Sequence, residues 1–144
     1  MVEIIEKVKS YRTRYITVTG GEPLAQRSCI ELLKLLCDIG YEVSLETSGA
    51  LDVSLVDKRV VKILDIKTPQ SGESTKNYFD NLMVLTPRDQ IKFVICNRKD
   101  YDWSCEMLKK YQLSKNCEIL FSPSHGELPA KELANCKSCE AIVK

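Results

Sequence analysis

Short runs of β-branched and aromatic residues alternate along this sequence with segments of helical apolar spacing, and this alternation constrains the fold more than any other feature. Glycine, proline or small polar residues follow the runs, as is typical of strands. Because strands separated by helices usually pair in parallel through right-handed crossovers, the alternation predicts an α/β fold with mainly parallel strands. Five strands are predicted, at residues 15–19, 42–47, 61–67, 90–96 and 118–122.

The longest helical pattern runs from Leu24 to Ile39, where apolar residues repeat at spacings of three and four. Gly40 follows at the position that a glycine often takes after a helix. Neither an internal repeat nor a linker interrupts the pattern, so we expect residues 1–144 to form one domain. Shorter helices are predicted at residues 1–12, 54–59, 101–111 and 130–135, with a long loop at 70–81 that leads to a short helix near Leu82.

Composition limits the classes of partner that this chain can have. Lys and Arg total 21 and Asp and Glu total 20, which gives a net charge of +1. Bulk electrostatic binding of nucleic acid needs a basic excess, and a bilayer-spanning helix needs roughly 20 consecutive apolar residues; the sequence has neither. The N-terminal residues also lack the apolar centre of a signal peptide. We therefore expect a cytoplasmic protein with no nucleic-acid partner and no membrane partner.

The seven cysteines are expected to be reduced and mostly structural, since most of them lie in apolar runs such as residues 29–37. Cys136 and Cys139 have the spacing of half a zinc or redox site, but no second pair accompanies them. His125 is the only histidine. A lone histidine without a carboxylate pattern more often caps a loop than catalyses, so no metal site is predicted from these residues.

The residues that follow the strands are candidates for ligand binding, because ligands of parallel sheets and barrels bind where the carboxyl ends of the strands converge. Most of the residues at these ends are polar or small: 19–22, 46–49, 65–68, 96–98 and 121–124.

Two glycines directly after the first strand, Gly20 and Gly21, would let the backbone approach a ligand closely, although a tight strand-to-helix turn needs the same residues. Glu22 is a candidate acceptor for a ligand ammonium group.

Three charged residues near the ends of neighbouring strands have two interpretations each. Asp65 and Lys67 face the same side of their strand, and they either bind a ligand or form an ion pair. Glu46 either contacts a ligand or pairs with Lys67.

Five segments, in this order, resemble one enzyme family: ITVTGGEPLAQ (16–26), YEVSLETSGALDVS (41–54), LDIKTPQSGE (64–73), DQIKFVI (89–95) and ILFSPSHGEL (119–128). Together they are similar to the 7-carboxy-7-deazaguanine synthases, radical S-adenosylmethionine (SAM) enzymes of queuosine and 7-deazapurine biosynthesis. The resemblance covers the chain from about residue 15 to about residue 133.

The resemblance implies an incomplete (β/α) barrel and a homodimer that uses a [4Fe–4S] cluster, SAM and Mg²⁺. The implied reaction contracts the ring of 6-carboxy-5,6,7,8-tetrahydropterin to 7-carboxy-7-deazaguanine and releases ammonia. Contacts to the pterin substrate are implied for Thr19 and Glu46. Cofactor binding is implied for residues at the ends of three strands: Gly21, Glu22, Asp65, Ile66, Lys67, Phe121, Ser122, Pro123 and Ser124.

The motif that binds the iron–sulfur cluster in this family is not found. Radical SAM enzymes hold the cluster through three cysteines of a CxxxCxxC loop after the first barrel strand, and no two cysteines of this sequence are four positions apart. We therefore expect the first family strand, the cluster ligands and the Mg²⁺ ligand to belong before Met1 and to be missing from this chain, which alone would be inactive. The residues after Leu133 also depart from the family.

Two other functions fit the same residues. The chain is either a non-catalytic remnant that binds SAM or a pterin, or a subunit that a partner chain completes. Without the first family strand, the strand at Tyr15 would be an open edge, which favours dimerisation.

Overall fold

The computed structural model describes residues 1–124 and the backbone of residues 142–143. This part of the chain contains three α-helices, α1 (Val2–Ser10), α2 (Cys29–Ile39) and α3 (Arg98–Tyr111). Its strands are β1 (Tyr15–Val18), β2 (Glu42–Thr47), β3 (Val61–Ile66), β4 (Gln90–Ile95), β5 (Glu118–Pro123) and β6 (Ile142–Val143). Short 3₁₀ turns lie at Pro23–Ala25, Pro69–Ser71, Ser74–Lys76, Phe79–Val84 and Leu113–Lys115.

The strands form one parallel sheet in the sequential order β1-β2-β3-β4-β5-β6. Right-handed crossovers between sequential strands put all the connecting helices on the same face of a sheet, as in a barrel. The sheet does not close, since β1 and β6 lie at its two ends. The prediction of an incomplete α/β barrel with about five parallel strands is confirmed, and the two-residue β6 is an addition that the sequence did not predict.

Burial alternates along the central strands, which separates a core face from a second, more open face. Leu45, Leu64 and Phe93 are fully buried and share one core with Leu33 and Leu36 of α2. Residues of the opposite face are only half-buried, and most of them are polar or charged. We call this opposite face the inner face, and its central residues are Ser44, Glu46, Ile63, Asp65, Gln90 and Lys92.

Two helices begin at positions that differ from the sequence prediction, and a side-chain cap explains the start of one of them, α3. The predicted helix from Leu24 divides into a 3₁₀ turn, which the Glu22 side chain caps at the Leu24 N–H, and α2, which begins only at Cys29. Conversely, α3 begins three residues before the predicted start because the Asn97 side chain accepts a hydrogen bond from the Asp100 N–H at 3.0 Å.

The predicted helix at residues 54–59 is wrong, because this segment forms turns. Asp52 accepts a hydrogen bond from the Ser54 N–H at 2.8 Å, and Asp57 accepts one from the Arg59 N–H at 2.9 Å. Such bonds to the backbone two residues on compete with a helix. The helix predicted at 130–135 lies outside the described residues.

The first strand lies at the edge of the described sheet, where β1 pairs with β2 alone. Apolar side chains near this edge are exposed, among them Val2, Ile4 and Tyr15. None of the described helices has the length and apolar character that crossing a bilayer requires.

Candidate ligand-binding site at the strand ends

The carboxyl ends of β1, β2 and β3 converge on one polar cavity of about 180 Å³. Five of the sequence-predicted site residues lie here: Thr19, Gly21, Glu46, Asp65 and Lys67. We call this space the rim cavity, and its lining residues are Thr19, Gly20, Gly21, Glu46, Thr47, Ser48, Asp65 and Lys67. Its position follows from the parallel order of the strands, which the sequence predicted.

The glycine pair after β1 presents bare backbone to the rim cavity. Gly20 and Gly21 have φ values of +100° and +58°, a region that residues with a Cβ rarely adopt. A Cβ atom on either residue would meet no other atom within 4 Å, so the space beside them is open. These positions therefore need glycine for the turn, and they also leave room for a ligand against the backbone.

Glu22 is hydrogen-bonded to Thr47 and Ser48, two residues that line the rim cavity. Its carboxylate accepts hydrogen bonds from the Leu24 N–H (3.1 Å), the Thr47 hydroxyl (2.8 Å), and both the N–H (2.9 Å) and the hydroxyl of Ser48. Burial raises the pKa of Glu22, but these hydrogen bonds outweigh that effect and hold it below the ordinary value. All four acceptor positions of the carboxylate are used, so a bond to a ligand ammonium group would require one of them to open.

Asp65 offers an unused acceptor beside the rim cavity. Its Oδ2 atom accepts a 2.8 Å ion-paired hydrogen bond from the Lys67 ammonium group. Its Oδ1 atom is buried and has no hydrogen-bond partner among the described residues. Buried polar atoms are rarely left unpaired, so Oδ1 is suited to a donor from a ligand. The side chain of Ile66, between them, is buried in the core, which leaves its backbone as the part that can reach a ligand.

The partner of Glu46 is Lys92, and this pair was not foreseen. The Lys92 ammonium group lies 2.8 Å from the Glu46 carboxylate. Of the two interpretations of Glu46, the pairing with Lys67 is wrong, because Lys67 pairs with Asp65. The hydrogen bond to Glu46 raises the pKa of Lys92, burial works in the opposite direction, and the charge of Asp65 adds to the rise. Lys92 lies inside a strand pattern, so the sequence offered no signal that it reaches the site.

The predicted residues at the end of β5 lie apart from the rim cavity. Phe121 is buried against Phe93 and Tyr101, with ring centroids 5.8 and 5.4 Å away. Together with Ser122 it borders a second inner-face cavity, described below. Pro123 ends β5, and the Ser124 N–H donates to the Ile95 carbonyl at 2.9 Å.

Three polar side chains hold the backbone around the site in place through hydrogen bonds. Asn77 pairs with both the N–H and the carbonyl of Lys67, each at 2.9 Å. Asn81 is buried and bonds to the Val53 N–H and to two carbonyls of the β2–β3 loop. Asp100 is buried and accepts bonds from the N–H groups of Gln70 and Cys96. The strand-end loops are therefore held in place before any ligand binds.

The described cysteines do not form a cluster site. Five of them, Cys29, Cys37, Cys96, Cys105 and Cys117, are free thiols. Burial raises the pKa of Cys117 to about 11, which disfavours the thiolate that an iron ligand needs. No group of three or more metal-ligating side chains occurs within residues 1–124. His125, Cys136 and Cys139 lie outside the described residues.

Known proteins resemble this chain over most of its length. The model of the Radical SAM superfamily matches residues 1–115. The chain belongs to the radical SAM superfamily. The predicted resemblance to the 7-carboxy-7-deazaguanine synthases is also confirmed. The synthase of Koribacter versatilis is 42% identical over 111 residues, and that of Chlorobaculum tepidum is 37% identical over 135 residues.

These radical SAM relatives are longer than the chain. The matched regions cover 76% of this chain and 49% of the Koribacter protein, and 92% of this chain and 61% of the Chlorobaculum protein. The crystal structure of QueE from Escherichia coli has a TM-score of 0.67 and 22% identity, and the match covers 86% of this chain and 52% of that one. This structural likeness supports the fold, and the chain spans 49–61% of the length of these proteins.

Proposed function

We propose that this chain supplies the SAM- and pterin-binding part of a 7-carboxy-7-deazaguanine synthase. The observation that carries the proposal is the convergence of three strand ends on the rim cavity, with Thr19 and Gly21 on one side and Asp65 on the other. The substrate of the proposed enzyme is 6-carboxy-5,6,7,8-tetrahydropterin, which is converted to 7-carboxy-7-deazaguanine with loss of ammonia.

SAM is proposed to bind against the backbone of Gly21 and against Asp65, Ile66 and Lys67, with the residues 121–124 as a further contact. SAM carries amino and hydroxyl donors, which suit the unpartnered Asp65 Oδ1 atom. Its carboxylate suits the Lys67 ammonium group and the open backbone of the glycine pair. Bound to a [4Fe–4S] cluster, SAM supplies radical chemistry.

The pterin is proposed to contact Thr19 and Glu46, which line the same cavity. A pterin ring carries adjacent N–H donors, and an ionised carboxylate is their natural acceptor. Lys92 holds the Glu46 carboxylate on the inner face, which supports this assignment.

Titration calorimetry with SAM tests the proposal. We expect the parent chain to bind SAM, and we expect Asp65→Asn to bind it about tenfold more weakly, since one charged acceptor is lost. The matched control is Asp102→Asn, which changes an exposed carboxylate on α3 and leaves SAM affinity unchanged. The absence of heat at millimolar SAM, or equal affinity in parent and Asp65→Asn, would contradict the proposal.

We also propose that these 144 residues do not turn over alone, because no cysteine triplet of the sequence has the spacing that the [4Fe–4S] cluster requires. Anaerobic treatment with iron and sulfide should leave the protein colourless and unable to cleave SAM. A brown protein with iron–sulfur absorption that cleaves SAM would contradict this.

One edge of β1 has no strand partner among the described residues, and this favours pairing with another chain. Such an edge, flanked by exposed apolar residues, is a template for association. We propose a homodimer, with a partner chain of another kind as the alternative. Sedimentation equilibrium should give twice the mass of one chain, and a monomer at high concentration would contradict the homodimer.

A further inference from the structure

Lys92 occupies an unusual place for a charged residue. It lies on β4 in register with Asp65 of β3 and points to the inner face. Its ammonium group extends across β3 and lies 2.8 Å from the carboxylate of Glu46 on β2. Glu46 is in register with Ile63, so the ion pair crosses the sheet diagonally over the middle strand.

The Lys92–Glu46 ion pair lies at the boundary of two cavities. Glu46 lines the rim cavity, and it also lines a second cavity of about 350 Å³ that extends over the inner face towards β5. Lys92 lines only the second cavity, together with Gln90 and Ser122. The Glu46 carboxylate is thus an acceptor that lines both cavities, and its ion pair with Lys92 sets the orientation of the carboxylate.

Solvent and both cavities reach the Lys92–Glu46 ion pair. The side chains of Lys92 and Glu46 are 27% and 32% exposed, so solvent partly screens their attraction and reduces what the pair contributes to stability. Another ion pair of the described residues is fully buried. Lys62 and Asp89 are 5% and 1% exposed, and Asp89 also accepts bonds from backbone N–H groups.

Resting on the proposed function of this site, we propose that Lys92 is a positioning residue that holds the Glu46 carboxylate aimed at the ligand. The charged groups that face Glu46 are Lys92 from β4 and Asp65 and Lys67 from β3. Asp65 and Lys67 pair with each other, which leaves Lys92 as the counter-charge of Glu46. Without Lys92, Glu46 would face the negative Asp65 with no partner of its own.

The first test follows Glu46 itself. The carboxyl carbon of Glu46 is observed by ¹³C NMR at pH 7 in the parent, Lys92→Met and Lys92→Arg. In Lys92→Met we expect its resonance to shift, because the carboxylate loses the ammonium group that lies 2.8 Å away, and Lys92→Arg should restore the parent position. An unchanged resonance in Lys92→Met would overturn the proposal. This readout needs no ligand, so it distinguishes failure of this inference from failure of the proposed function.

The second test measures ligand binding by anaerobic calorimetry with 6-carboxy-5,6,7,8-tetrahydropterin. We expect Lys92→Met to weaken binding about tenfold at pH 7, with recovery in Lys92→Arg. Lys109→Met, an exposed change on α3, serves as the control and should match the parent. Equal pterin affinity in parent and Lys92→Met, or weakening that Lys92→Arg does not recover, would overturn the proposal.

Discussion

Replacement of Glu22 by glutamine should destabilise the loops around the rim cavity, because it removes one acceptor oxygen. Glutamine has the same size and keeps one acceptor oxygen, which can still serve the Leu24 N–H and the Thr47 hydroxyl. The other oxygen becomes an amide NH₂ group that faces the Ser48 N–H, which donates to Glu22 at 2.9 Å in the parent. Two donors then face each other, and the Ser48 N–H loses its partner.

The magnitude follows from the charge and burial of this bond. A hydrogen bond to a charged group contributes about 1.5–3 kcal/mol, and the half-buried position of Glu22 suggests a loss of about 2 kcal/mol in Glu22→Gln. For a chain of this length the melting temperature should fall by about 4–8 °C. Urea unfolding followed by Trp103 fluorescence at pH 7 measures the change. Glu106→Gln, exposed on α3, is the matched control and should lose less than about 0.5 kcal/mol.

The pH dependence gives an independent check. The folded-state pKa of Glu22 lies below its ordinary value of 4.5, so the stability contributed by the carboxylate is fully present above that pH and is lost as the pH falls through the folded-state value. The difference in unfolding free energy between parent and Glu22→Gln should therefore narrow below pH 4.5. A variant as stable as the parent at pH 7, or a difference in unfolding free energy that grows in acid, would refute the stabilising role of the Glu22 hydrogen bonds.

Other consequences of the same structure can be measured separately. Asn81→Ala should lower the unfolding free energy by about 2–4 kcal/mol, because three buried backbone groups in residues 49–53 lose their partner, and amide hydrogen exchange should rise in that loop; unchanged exchange would count against it. Gly21→Ala should cost about 1 kcal/mol from its positive φ alone and should weaken SAM binding more than it weakens folding; intact binding would exclude a ligand beside this backbone. At pH 8, iodoacetamide should alkylate Cys96 before the buried Cys117, whose pKa is about 11, and equal rates in the folded protein would contradict that burial.

The parts of the fold that the sequence predicted well are those that repeat a simple pattern. Strand β2 begins and ends at the predicted residues because its alternation is unbroken between Gly40 and Gly49. Gly40 ends α2 in the left-handed conformation, with φ at +104°, as its position after the apolar repeat predicted. Parallel pairing then located the rim cavity, since it follows from topology alone.

The errors lie where single side chains decide the backbone. The side chains of Asp52 and Asp57 stabilise turns in a segment that is long enough to form a helix, and no apolar periodicity indicates these turns. Asn77, Asn81 and Asp100 are polar residues, and only the folded chain shows that they are partly or fully buried and pair with distant backbone groups.

The Glu46–Lys92 pair was missed for a related reason. The two residues are on strands that are not adjacent, and their contact depends on register and side-chain length across β3. The ion-pair partner that the sequence offered as one of two alternatives was Lys67 at a neighbouring strand end, but Lys67 bonds to Asp65 of β3.

Amide chemical shifts of the ¹⁵N-labelled chain during titration with SAM test the central claim most directly, because they report where the ligand binds. The account predicts shifts at Gly20, Gly21, Ser48 and Asp65, which surround the rim cavity, and none at Arg88 near the opposite ends of the strands. A folded chain whose amides do not respond to millimolar SAM, or respond away from the strand ends, would contradict it.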